Sequence, residues 1–167
     1  MLIANGISII QASTAEHIAQ ARLLFTEYAN SLDFSLCFQN FEQELRGLPG
    51  AYAPPSGRLL LAYDSGAAAG SVALRRLEAE VCEMKRLYLR PAFRGKGLAG
   101  LLVRRLMQEA QTIGYSRMRL DTVQSSMADA IRLYRKFGFR EIPPYCSNPM
   151  KGTLYMELDL RALPVDQ

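Results

Sequence analysis

The chain has 167 residues, 20 Lys plus Arg against 16 Asp plus Glu, and a formal net charge of +4; it is 49% hydrophobic and 22% charged. That balance excludes disordered, collagen-like and disulfide-scaffold chains and fits a single globular domain over residues 1–167. Such a domain buries roughly 70% of the surface its unfolded chain exposes, so neither a metal nor a disulfide is needed to hold it.

In chain order, Ile7–Gln11 reads as a strand, and Thr14, followed by Ala15, Glu16 and His17, offers an N-cap. The helix it starts carries Ile18, Ala21, Leu24, Phe25 and Tyr28 on one side, and a shorter helix covers residues 40–48. Residues 58–63, 70–76 and 81–89 read as an antiparallel meander; the small residues 65–70 form a hairpin turn and Pro91 stops the third strand. From Leu98 the apolar positions Leu101, Leu102, Leu106, Ala110 and Ile113 recur at helical spacing, closed by Gly114. Residues 117–122 alternate as a strand, and Ser126 with Asp129 gives a capping-box-like start to a helix ending at Gly138. Residues 139–142 and 153–160 are the final strands, separated by the loop 143–150. The expected order is β-α-α-β-β-β-α-β-α-β-β, an α/β fold with a meander, no repeat and no membrane span.

His17 is the only histidine, and Cys37, Cys82 and Cys146 are dispersed. No zinc spacing and no nucleophile–histidine pair is expected, and scattered cysteines with no basic leader point to the cytoplasm. Charge is uneven: residues 1–80 carry 5 basic and 8 acidic side chains, residues 81–167 carry 15 and 8. The C-terminal part is therefore suited to an anionic partner, a phosphorylated cofactor or, less expectedly, nucleic acid through Arg117, Arg119, Arg132 and Arg135.

The chemistry concentrates where a strand, a basic glycine-containing loop and a helix follow one another, from Glu83 to Gly100. Helix N-termini present unpaired amides and partial positive charge, glycine admits a phosphate close to the backbone, and Arg94 and Lys96 add full charges. A P-loop is excluded, because Gly97 rather than Ser or Thr follows Lys96. Gly95, Gly97 and Gly100 also match the dinucleotide pattern GxGxxG, with Asp121 downstream. The glycines stand too far from the strand, and too little chain follows Asp121 for a second mononucleotide half, so dinucleotide binding is the minor alternative.

Arg94-x-x-Gly97-x-Ala99 resembles motif A of the GNAT superfamily of N-acetyltransferases, [Q/R]-x-x-G-x-[G/A]. The likeness extends to Leu87-Tyr88-Leu89-Arg90-Pro91, to Leu133-Tyr134-Arg135-Lys136-Phe137-Gly138-Phe139, to Tyr155-Met156-Glu157-Leu158 and to the element order. It implies a GNAT-like mixed, mostly antiparallel sheet flanked by helices, and acetyl-CoA as co-substrate. The diphosphate would rest on Arg94, Gly95, Lys96, Gly97, Leu98 and Ala99, and the pantetheine beside the strand of Leu87 and Leu89, from which the next strand splays at Pro91. Met127 stands where many members of the superfamily place a pantetheine-holding asparagine.

Acetyl transfer to an amine needs a neutral nucleophile, and freeing a lysine-like amine at pH 7 costs about 4.6 kcal/mol. Glu83, four residues before Leu87 and so on the same strand face, is the expected base, reaching the amine through water because ~13 Å of strand separates it from Leu87, with pairing to a neighbouring arginine as the alternative; the Leu87 amide is the expected oxyanion donor. Tyr134, at the superfamily's tyrosine position, is the expected acid. The resemblance implies an acceptor that is a small-molecule or peptide primary amine, in a pocket among Tyr28, Asp33, Phe34, Phe38, Phe41, Tyr52, Tyr145, Asn148 and Tyr155, with acidic Asp33, Glu42 and Glu44 suited to attract a cationic amine or to form a solvated helix face. No side chain is placed to carry the acyl group, so direct transfer in a ternary complex is expected, with homodimerisation a further implication of the resemblance. The alternative from another class is a catalytically silent CoA-binding regulatory module.

Overall fold

The computed structural model describes residues 2–125 and 127–164. It is an α/β fold built on one mixed, mostly antiparallel sheet of eight strands in the order β1-β2-β3-β4-β5-β6-β8-β7. The strands are β1 Leu2–Ala4, β2 Ile7–Gln11, β3 Arg58–Asp64, β4 Ala67–Glu78, β5 Val81–Leu89, β6 Arg117–Val123, β7 Arg140–Ile142 and β8 Thr153–Asp159. Helices α1 (Ala15–Ser31), α2 (Phe41–Gly47), α3 (Leu98–Ile113) and α4 (Ala128–Phe137) complete it.

The expected order held, with one strand added. Asn5 and Gly6, at φ 55° and 84°, turn β1 back onto β2, a two-residue hairpin in which both central residues need positive φ. The next hairpin is tighter than residues 65–70: only Ser65 and Gly66 form the turn, and the small residues after them enter β4. Ala69 and Ala73 are fully buried there, and a Cβ on Gly70 would stand 2.3 Å from the Tyr88 carbonyl oxygen, so β5 approaches where only glycine fits.

Both faces of the sheet are covered, which is why residues 59–62 of β3 form an unbroken buried run. Leu59, Leu61, Ala73 and Tyr88 pack under α1 through Ala21, Leu24 and Phe25. Leu60, Leu74, Cys82, Met84 and Met118 pack under α3 through Leu98, Leu102, Val103 and Leu106. The Thr14 hydroxyl caps α1 by accepting from the His17 amide, and His17 Nδ1 accepts in return from the Thr14 amide, so the sole histidine closes a capping box. The N-cap of α4 is Met127, which makes no side-chain capping bond; Ser126, the expected cap, lies outside the described residues.

All neighbours in the sheet are antiparallel except β5 and β6, which run parallel and pair only at Val81↔Arg117, Cys82↔Met118 and Glu83↔Arg119. Beyond Glu83 the β6 edge of β5 is unpaired. Separation therefore begins well before Pro91, which merely starts the 3-10 turn Pro91–Phe93. In the opened stretch the β4–β5 register slips by one residue between Ser71↔Tyr88 and Ala73↔Lys85, and Arg86 takes φ +61°. This bulge makes Lys85 and Arg86 depart from strict alternation.

Candidate active site

The parting of β5 and β6 opens a cavity of about 710 Å³. It passes through the sheet: Tyr28 and Phe34 line it from the α1 side, Met127 and Tyr134 from the α4 side, and Arg94, Gly95 and Ala99 at the end of β5. An extended ligand thus has one continuous path from the loop before α3 to the middle of the sheet.

At the loop end, Gly95 and Gly97 both have φ +80°, and Gly97 is the N-cap of α3 without any side-chain cap. The first helical bond is donated by Leu101 to the Gly97 carbonyl, so the amides of Leu98, Ala99 and Gly100 have no acceptor inside the helix. Arg94 Nε donates to the Leu89 carbonyl at 3.0 Å and its guanidinium lies 5.9 Å from the Tyr88 ring centre. Lys96 Nζ stands 3.6 Å from Asp64 Oδ2 and is exposed. Gly100 has room for a Cβ at ordinary contact distance, so it does not perform the close packing of a dinucleotide fingerprint's last glycine.

Along β5, the Arg90 amide donates to Ala69 of β4. Strand alternation then turns the Tyr88 amide toward β4 and those of Leu87 and Leu89 toward the unpaired edge. Both expected cofactor-side leucines thus face the cavity with backbone donors, and both line it.

Glu83 is placed differently from expectation. The bulge breaks the four-residue parity: Leu87 packs with the α3-side core, whereas Glu83 lies on the opposite face with Arg75 and Tyr145. It is only 1% exposed and is not among the cavity-lining residues. Arg75 Nε donates to its Oε1 at 2.8 Å, the Tyr145 hydroxyl donates to its Oε2 at 2.7 Å, and Lys85 Nζ stands 3.7 Å away. Burial by itself would raise this carboxyl, but the Lys85 and Arg75 charges and the Tyr145 hydroxyl outweigh it and hold Glu83 below the usual carboxylate range.

Tyr134 lines the cavity, and its hydroxyl makes no hydrogen bond among the described residues. Burial pushes this phenol up, with Tyr28 and Asp121 adding to the shift, so the proton stays on oxygen. Thr122, on β6, also lines the cavity and donates to the sulfur of Met127.

Of the expected acceptor residues, Tyr28, Phe34 and Asn148 line the cavity. Tyr52 donates to Glu44, Tyr145 to Glu83, and Tyr155 to the Cys146 carbonyl. The Phe41 ring lies 5.2 Å from the Arg86 guanidinium, Asp33 and Glu42 are exposed, and the Phe38 side chain lies outside the described residues. Glu44 is not open to a cationic amine, because Arg86 holds it through Nε at 2.8 Å and Nη2 at 2.9 Å. The basic excess is likewise partnered at Arg119 with Glu157 and Glu78, and at Arg132 with Asp129.

The polar lining residues Lys85, Arg86 and Thr122 are among those the sequence does not mark as site residues. Asp121, which in the sequence fits only a dinucleotide pattern, also lines the cavity and accepts from Asn148 Nδ2 at 3.0 Å. Among the described residues no cluster of His, Cys, Asp or Glu has the makings of a metal site, and no helix is long and apolar enough to cross a membrane.

Comparison with known proteins matches residues 19–139 to the acetyltransferase (GNAT) family. An uncharacterised N-acetyltransferase of Schizosaccharomyces pombe is 38% identical over 162 residues, covering 96% of this chain and 99% of that protein. An N-acetylaspartate synthetase of Danio rerio is 33% identical over 101 residues, covering 59% of this chain and 36% of that protein. Among solved structures, a Salmonella typhimurium acetyltransferase with acetyl-CoA aligns over 93% of this chain and 95% of its own, at TM-score 0.64 and 22% identity. A Thermoplasma acidophilum N-acetyltransferase in complex with coenzyme A aligns over 92% and 98%, at TM-score 0.69 and 17% identity. Those two share the fold. With the family match over most of its length and a relative spanning nearly all of it, the chain belongs to the GNAT family of N-acetyltransferases.

Proposed function

We propose that the protein moves an acetyl group from acetyl-CoA to a primary amine by direct transfer in a ternary complex. One observation carries the reading. The unpaired edge of β5, with the Leu87 and Leu89 amides turned to it, runs into the uncapped first turn of α3 within a single cavity. A diphosphate on the amides after Gly97 and an extended amide-bearing arm along Leu89 and Leu87 would fill both sets of donors. Two fold neighbours, one with acetyl-CoA and one with coenzyme A, support the reading.

When bound, acetyl-CoA supplies a thioester acyl group and a thiol leaving group. The Leu87 N–H is then placed to donate to the acyl oxygen as negative charge develops there. Tyr134 keeps its proton because of burial, and donates it, or a hydrogen bond, toward the departing sulfur. Glu83 enters as a positioning residue: with both oxygens engaged by Arg75 and Tyr145, it holds Lys85 and the loop of Tyr145 in place. The three free cysteines take no part: burial pushes the Cys82 thiol up to about 12, and Cys37 and Cys146 are exposed. They fit the reducing cytoplasm.

The test is unfolding calorimetry with acetyl-CoA and, in parallel, NADH, followed by thiol release over an amine panel. Acetyl-CoA at 100 times its dissociation constant should add about 2.7 kcal/mol of stability, and NADH none. No shift at millimolar acetyl-CoA overturns the proposal; a shift without thiol release on any amine leaves a CoA-binding module instead.

A further inference from the structure

The charged groups around the acceptor end of the cavity pair off unevenly. Arg75 is taken by Glu83, and Arg86 by Glu44 with a further bond from Nη1 to Gln39. What remains is one cation and one anion. The Lys85 side chain is 9% exposed and lines the cavity, its nearest carboxylate oxygen is at 3.7 Å, and its Nζ makes no hydrogen bond among the described residues. That carboxylate is Glu83, whose two oxygens already accept from Arg75 and Tyr145. Asp121 accepts one bond, from Asn148 to Oδ2, and its Oδ1 accepts none among the described residues.

Register brings the two together. Glu83↔Arg119 is the last pairing of the parallel strands, and Lys85 and Asp121 each follow it by two residues. Met118 and Leu120 fill the α3-side core, so Asp121 faces the other side, as Glu83 and Lys85 do. The two charges therefore flank the mouth of the splay from opposite strands, and they form no ion pair with each other within 4.0 Å among the described residues. The Lys85 ammonium therefore has spare donors at the cavity wall, where an anion entering the cavity would add charge-assisted hydrogen bonds.

We infer that the acceptor is a primary amine that also carries a carboxylate, an amino acid type of zwitterion, with its carboxylate on Lys85 and its amine on Asp121. Lys85 sets specificity. Asp121 orients the ammonium and takes its first proton; the amine nitrogen then bonds to the acyl carbon as the carbon–sulfur bond breaks, the sulfur leaves with the Tyr134 proton, and the second proton shed by the new amide nitrogen restores the Tyr134 phenol. This rests on the acetyl-transfer reading above.

The experiment measures thiol release with a panel of amino acids and their decarboxylated amines. Wild type should prefer the carboxylated acceptor by about 100-fold in kcat/KM. Lys85→Met should cut that ratio to below about 5, chiefly through KM, and Lys85→Arg should restore part of it. Asp121→Asn should lower kcat/KM for both classes and keep the ratio. A ratio unmoved by Lys85→Met, with only stability reduced, makes Lys85 a mere neutraliser of Glu83 and overturns the inference. Unfolding with CoA and each amino acid gives a second readout: the midpoint should rise in wild type and not in Lys85→Met. If acetyl-CoA binds and only carboxylate-free amines react, or neither turnover nor midpoint shift occurs at 10 mM amino acid, a concentration of about 100 times a 0.1 mM dissociation constant, the inference fails while the CoA reading stands. If acetyl-CoA itself produces no shift, both fail.

Discussion

Within one strand, Val81–Glu83 of β5 is paired on both edges, whereas Lys85, Tyr88 and Leu89 pair only with β4 and the bulge takes Arg86 and Leu87 out of the ladder. The paired part is ordinary core: Val81 and Cys82 are buried, and the Cys82 thiol donates to the Arg117 carbonyl of β6. The half-paired part carries Lys85, the Arg86 bulge and the inward amides of Leu87 and Leu89. Losing a neighbour strand turns backbone donors that a sheet would consume into donors for a ligand. It also lets Tyr28 and Tyr134, from opposite faces, meet the same cavity.

The sharpest way to test the division is Tyr134→Phe, which removes one hydroxyl from the open half. Turnover should fall by about 10²–10⁴ while the KM for acetyl-CoA moves by less than about threefold, as steady-state kinetics will show. An unchanged kcat would remove Tyr134 as the acid.

Next comes Glu83→Gln at the boundary, which strands the Arg75 and Lys85 charges against a neutral side chain. Denaturant unfolding should show a loss of about 3–5 kcal/mol at pH 7. The sign with pH follows from the lowered carboxyl: its folded pKa lies below the unfolded one. Its contribution is therefore complete above the unfolded value, about 4.3, and is lost as pH falls through the folded one. Glu27 and Glu109 are lowered too, both bonded to arginine, so the variant should flatten the acid slope without abolishing it. An acid slope equal to wild type would show that Glu83 is not held below its usual range.

Gly97→Val strikes the far end of the open half. A side chain at φ +80° costs about 1–2 kcal/mol, and the cradle amides should shift with it, weakening acetyl-CoA in a thermal-shift titration. Smallest is Lys96→Ala: its ammonium is exposed, so acetyl-CoA binding should weaken by under about 1 kcal/mol at low salt and not measurably at high salt. A larger, salt-insensitive loss would place Lys96 in the buried part of the site.

Local chemistry explains which features were legible beforehand. The strand, loop and amphipathic helix from Glu83 to Ile113 depend on nearest neighbours, glycine conformation and helical spacing, and the structure forms them with α3 at Leu98–Ile113. The extra strand was also signalled, by Asn5-Gly6, but a three-residue β1 has too little pattern of its own to be read. The bulge was not signalled: an arginine at φ +61° is held by Glu44, Gln39 and Phe41, all more than forty residues away in sequence. Counting residues by two across that bulge is what put Glu83 on the wrong face.

Composition, spacing and the residues around Arg94 were enough to specify the α/β order, the glycine-rich entry to α3 and the superfamily resemblance, because each arises within a few turns of chain. Which face Glu83 occupies, how Arg75 and Arg86 are consumed, and why Lys85 and Asp121 line one cavity were decided by packing between β4, β5, β6 and α2. Charge pairing and strand separation are relations between distant segments, so only the folded chain contains them.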